Sequence, residues 1–106
     1  MDKIKDHFGY FRKQHPEIYA AYENYGKMIH EHGGPLDEKT RALLKIAISA
    51  TGDRNYALET HMKKAIQVGC TKEEIEHVIL LTSPSMGFPS MMESLLVFRN
   101  VFEEKE

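Results

Sequence analysis

The chain has 106 residues, 42% hydrophobic and 28% charged, with 14 basic against 16 acidic side chains and a net charge of −2. Residues 1–106 are expected to form one globular domain, and the near-neutral balance without a basic run excludes a surface that tracks nucleic-acid phosphates. One cysteine, Cys70, excludes an intrachain disulfide and a zinc-ribbon ligand set. The N-terminal MDKIKDHFGY carries no apolar stretch of signal-peptide length, and no apolar run nears the ~20 residues of a membrane span. A soluble, cytoplasmic protein is expected.

The pattern is helical from end to end, and no segment alternates as a half-buried strand would. A first helix around Asp2–Gln14 carries Ile4, Phe8 and Phe11 at helical spacing. Pro16 suits the first turn of a second helix, where its missing N–H costs nothing. That helix shows Tyr19, Tyr22 and Tyr25 near one side and stops at Gly33-Gly34-Pro35. Asp37 is the expected N-cap of a third helix, and RALLKIAISA is apolar around most of its circumference. Such a helix belongs at the centre of a bundle or between subunits.

Thr51-Gly52 ends it, and Asp53 is expected to cap a fourth helix that Gly69 closes in a left-handed conformation. Thr71 and Glu74 form a capping box ahead of a fifth helix with Ile75, Val78 and Ile79 inward. SPSMGFP is a break. A second capping box, Ser90 with Glu93, is expected to open a last helix bearing Met91, Leu95, Phe98 and Phe102. About six helices joined by short loops make an all-α bundle.

In the fourth helix, Leu58, His61, Met62, Ala65 and Ile66 recur at the spacing of a core-facing stripe, with Lys63, Lys64 and Gln67 on the wet side. A histidine thus sits where an apolar residue is expected. It is either a core histidine with satisfied ring nitrogens or a general acid/base in a half-buried pocket.

LDEKTRALLKIAISA, NYALETHMKKAIQVGCTKEEIEHVILL and GFPSMMESL, taken in order over residues 36–102, resemble the carboxymuconolactone decarboxylase family, which shares its fold with alkylhydroperoxidase D. The resemblance implies a small all-α subunit, assembled as a homotrimer or homohexamer, with a pocket at subunit contacts. It marks His61 as the catalytic residue. The peroxidase branch uses Cys-x-x-Cys-x-x-x-His with an upstream glutamate, and those positions are Arg54, Ala57 and Ala42 here. Without a thiolate at either position the family's peroxidase route has no nucleophile. The decarboxylase branch also lacks the cysteines and often carries a glutamate four residues before the histidine, where this chain has Ala57. Glu59 points roughly 160° away from His61 on a helix and cannot replace it.

Two function classes remain. One is a lyase of the decarboxylase type acting on a small carboxylate or lactone, with His61 moving a proton. The other is a non-catalytic oligomer of the same fold that binds small ligands or serves as a scaffold. In the first, Arg54 lies two turns before His61 and is the candidate receiver of a substrate carboxylate, with Tyr56 a lesser substrate-binding candidate. A solvated arginine is the alternative. No cofactor and no metal are expected. His30 and His32 could share a metal only if the helix end unwound, because residues two apart face away from each other. Cys70 precedes the N-terminus of the fifth helix, which could lower its pKa somewhat, but a thiol without a resolving partner is expected to be a packing residue.

Overall fold

The structure, a computed structural model, describes residues 2–103, with side chains from residue 6 to 103. The helices are α1 (Asp2–Gln14), α2 (Pro16–His32), α3 (Glu38–Thr51), α4 (Asn55–Gln67), α5 (Lys72–Leu81), α6 (Ser83–Met86) and α7 (Phe88–Phe102). The protein is all-α, with no strand among the described residues. Two compact units divide the chain, Met1–Pro35 with α1 and α2, and Leu36–Glu106 with α3 to α7.

In the first unit Pro16 lies in the opening turn of α2, and the His15 amide still donates to the Phe11 carbonyl at 2.8 Å. An aromatic group joins the two helices. The Phe11 and Tyr19 rings meet edge to face at 6.3 Å, and the Arg12 guanidinium lies 5.2 Å from the Tyr19 centroid. Phe11 is half-buried and Phe8 exposed, while the Ile4 side chain lies outside the described residues. No residue of α2 is buried. Ile18, Tyr22, Tyr25 and Ile29 fall at i, i+4, i+7 and i+11 and form an exposed apolar stripe.

The second unit holds the core. Ile46 and Ala50 of α3, Leu58, Met62 and Ala65 of α4, Ile75 and Ile79 of α5, Met91 and Phe98 of α7, and Cys70 pack as one cluster. Each fully buried aliphatic side chain contributes about 2 kcal/mol of hydrophobic stabilisation. The caps set the helix starts. The Asp37 carboxylate accepts from the Thr40 amide at 2.8 Å, and Thr71 and Glu74 close a reciprocal capping box with bonds of 3.0 and 2.9 Å. Gly69, at φ +100°, ends α4 in a conformation that L side chains rarely adopt.

Three expectations are corrected. Asp53 does not cap α4: it sits in the turn at φ +60°, and Arg54 takes the N-cap position without a side-chain bond. SPSM is not a plain break but a single helical turn, closed by the Met86 amide on the Thr82 carbonyl at 2.8 Å. Ser90 and Glu93 form no capping box. Gly87, at φ +107°, redirects the chain, and Pro89 can stand in the first turn, so α7 begins at Phe88 and Ser90 is already helical.

Candidate functional site

The α3–α4 hairpin positions His61. Its turn is tight: the Gly52 amide donates to the Ile48 carbonyl at 3.0 Å and the Arg54 amide to the Ser49 carbonyl at 3.1 Å. On α4, Leu58, Met62 and Ala65 are fully buried. At about 100° per residue these three cluster within roughly 60° of arc, with His61 displaced about 60° to one side of Leu58 and Ile66 about 80° to the other. The consequence is visible in exposure. His61 is half-buried, and Ile66, expected inward, is 41% exposed. His61 therefore occupies the rim of the core stripe rather than its centre, with a protein partner on one side and solvent within reach on the other.

Arg54 is exposed at the N-cap of α4. Its side chain lies along the turn, with Nε 3.6 Å from where a Cβ on Gly52 would stand. Tyr56 is half-buried on the first turn of α4. Glu59 is held by Lys63 at 3.1 Å, one turn along the outer face. His61, Arg54 and Tyr56 thus share one helix and its cap, with His61 two turns beyond Arg54.

Sequence reasoning passed over the opposing edge of α3. Arg41 and Lys45, one turn apart on α3, are both half-buried. Burial pushes the Lys45 ammonium below the usual lysine value of 10.5, and the positive charges of Lys64 and Arg41 push it further in the same direction. Arg41 donates from one terminal nitrogen to the Leu36 carbonyl, while its Nε is buried with no partner among the described residues. The available signal was two like charges at i and i+4 inside RALLK, a spacing that is unfavourable unless something else compensates for it.

The remaining candidates lie apart from His61. Cys70 is buried and its thiol donates weakly to the Lys39 carbonyl at 3.7 Å. Its pKa is raised, first by burial and then by the Glu74 carboxylate, which corrects the expected lowering by the helix terminus. The α2 helix stays wound through His32, and His30 Nδ1 lies 2.7 Å from the Gly26 carbonyl. Among the described residues no group of three or more His, Cys, Asp or Glu side chains could hold a metal ion. No described helix is long and apolar enough to cross a membrane. A groove of about 370 Å³ opens between α3, α5 and α6, lined by Leu43, Leu44, Ala47, Val78, Leu81 and Met86 with hydroxyls at its edge, and His61 does not line it.

Comparison with known proteins matches residues 16–100 to the Carboxymuconolactone decarboxylase family. An uncharacterised protein of Methanocaldococcus jannaschii is 32% identical over 84 residues, which cover 79% of this chain and 78% of the relative. A second protein of that organism, also uncharacterised, is 28% identical over 91 residues, 85% of this chain and 86% of its own. An uncharacterised 15.0 kDa protein of Paracoccus denitrificans is 34% identical over 84 residues, 77% of this chain and 61% of the relative.

Proposed function

Since the chain belongs to the carboxymuconolactone decarboxylase family, we propose that it is a lyase that acts on a small carboxylated or lactone-like metabolite, with His61 as the proton-transfer residue. The observation that carries this reading is the half-buried place of His61 at the rim of the α4 stripe, where a ring can meet both a packed partner and a ligand. In a decarboxylation the C–CO2 bond breaks, CO2 leaves, and the electron pair stays on carbon. The His61 imidazolium supplies the proton that quenches that pair, and the neutral ring recovers a proton from solvent. Arg54 and Tyr56, at the start of the same helix, bind the substrate.

The same reading includes assembly and location. The protein works in the cytoplasm as a homotrimer or homohexamer, without a cofactor and with neither nucleic acid nor membrane as a partner. Two apolar faces support assembly: the α2 stripe, and Leu44 and Ile48 on the outer side of α3, the latter 63% exposed. Residues 1–106 act as one functional domain, and the peroxidase route is absent because Arg54 and Ala57 stand at the two cysteine positions.

One observation favours the second reading, a non-catalytic ligand-binding or scaffold oligomer. The apolar groove between α3, α5 and α6 lies away from His61. Steady-state assay of CO2 release from a panel of small carboxylated lactones separates the two. Turnover that disappears in His61→Asn supports the lyase. Ligand binding without turnover, unchanged in that variant, supports the scaffold.

A further inference from the structure

We infer that the α2 stripe of one copy of this chain seats in the groove between α3, α5 and α6 of a neighbouring copy, so that each subunit of a ring gives one face and receives the other. The inference rests on the trimeric or hexameric reading above and adds to it which surface meets which.

Exposed area calls for such a partner. The chain exposes 7941 Å², whereas a folded monomer of 12.2 kDa exposes about 6,100 Å². The excess of about 1,800 Å² is close to two interfaces of standard size, at roughly 800 Å² per partner in each. A subunit in a closed ring buries two such patches, and this chain has two unpartnered apolar faces to supply them. The first is α2, which belongs to the region 16–100 shared with the family yet has no buried residue within one chain. A helix in that state lacks the tertiary packing from which most helical stability comes. The second is the groove, whose rim residues Leu44, Leu81 and Met86 are each about half exposed.

The two faces fit each other better than either fits itself. The stripe is convex and the groove concave. Ile18 to Ile29 covers about 16 Å of helix, and the α3 wall of the groove, from Thr40 to Thr51, covers the same length. No charged side chain lines the groove, so its apolar floor receives Ile18 and Ile29 without an unpaired charge. Hydroxyls stand at its edge. Those of Thr51 and Thr82 donate to the Ile48 and Ile79 carbonyls at 3.2 and 2.7 Å, which leaves both oxygens free to accept. The Tyr22 and Tyr25 phenols, 61% and 68% exposed, are donors that need acceptors once the stripe is covered. Stripe against stripe would leave the groove open. A contact between two different faces is heterologous, and repeated head to tail it closes into a ring, of which the trimer is one form.

The test mixes two variants and follows them by sedimentation. Tyr22→Asp with Tyr25→Asp spoils the stripe and keeps the groove, while Leu44→Asp with Leu81→Asp spoils the groove and keeps the stripe. All four side chains are exposed in a single chain, so the core is untouched. Each variant alone should lose the wild-type assembly and sediment as a smaller species. An equal mixture should form a larger species that neither forms alone, because one intact stripe then meets one intact groove. A second measurement does not depend on disrupting the fold. With Cys70→Ser as background, Tyr25→Cys in one copy and Leu81→Cys in another should form a disulfide across copies after mixing and mild oxidation. The proposal is overturned if either aspartate variant keeps the wild-type mass, if the mixture forms nothing new, or if a chain carrying both cysteines links only within itself. A wild type that assembles while both aspartate variants keep its mass refutes this pairing and leaves the assembly reading standing. A wild-type monomer removes both.

Discussion

The Cys70 thiol lies 3.7 Å from the carbonyl of Lys39, thirty-one residues earlier in the chain. This contact ties the segment after α4 to the first turn of α3, just where the Asp37 cap and the Thr71–Glu74 capping box start their helices. It also places the thiol in the core, 4% exposed, where burial and the Glu74 carboxylate both disfavour the thiolate.

The native thiol should therefore be inert. With its pKa raised, Cys70 should react with a disulfide reagent at pH 8 at least about tenfold more slowly than in the urea-unfolded chain, since the thiolate is the nucleophile and access is restricted. The protein should not turn over hydroperoxides with a dithiol reductant. Rapid native labelling, or peroxide turnover abolished by Cys70→Ser, would refute this.

Lys45 gives a pH signature set by burial, which lowers its pKa in the fold. Its folded pKa is depressed, so the unfolded chain binds the extra proton more readily. The associated stability is fully present above the unfolded value of 10.5 and is lost as pH falls through the folded pKa, leaving a constant penalty at neutral pH. Lys45→Met should melt higher than the wild type at pH 7, and the gap should narrow as pH rises toward 10.5. A gap that widens with pH would contradict the assignment. The check is a set of thermal melts at closely spaced pH values.

His61→Asn should fold and assemble yet lose activity. Loss of a general acid/base lowers kcat by about 10²–10⁴-fold. If the ring were purely structural, the substitution would instead cost about 1–3 kcal/mol of stability through a partly unsatisfied amide. Melting curves beside steady-state kinetics distinguish the two outcomes.

Assembly can be tested at an exposed position. Ile48 is 63% exposed on α3, so Ile48→Asp should leave the protomer fold intact while it weakens subunit contact. Sedimentation should show the wild type as a trimer or hexamer of 12.2 kDa chains and the variant shifted toward smaller species. A wild-type monomer at micromolar concentration would remove the assembly proposal.

Thr71→Ala opens one half of the capping box and leaves the Glu74 amide without its 3.0 Å acceptor. The expected cost is about 1 kcal/mol, a drop of about 4–8 °C in Tm for a domain of this size. A melt unchanged within error would show that water replaces the hydroxyl without loss.

Local signals determined most of the helix plan. Pro16, Asp37, the Thr71–Glu74 pair and Gly69 act within one turn of where they stand, so their effects are written in neighbouring residues. The order of motifs over residues 36–102 was enough to identify the family, and the match over 16–100 agrees. The sequence misled where two local signals competed. Asp53 can cap a helix, but the turn between two packed helices needs a left-handed residue at that point, and Asp53 supplies it at φ +60°. Ser90 can cap as well, but Gly87 and Pro89 had already started the helix. The site depended on distance across the fold. Periodicity marked His61 as out of place, and its half-buried position on the rim follows from the angular width of the α4 stripe. Only the packing of α3 on α4 decided that the Lys64 charge acts on Lys45, because charges far apart in the chain act on one another only once a core holds two helices in register.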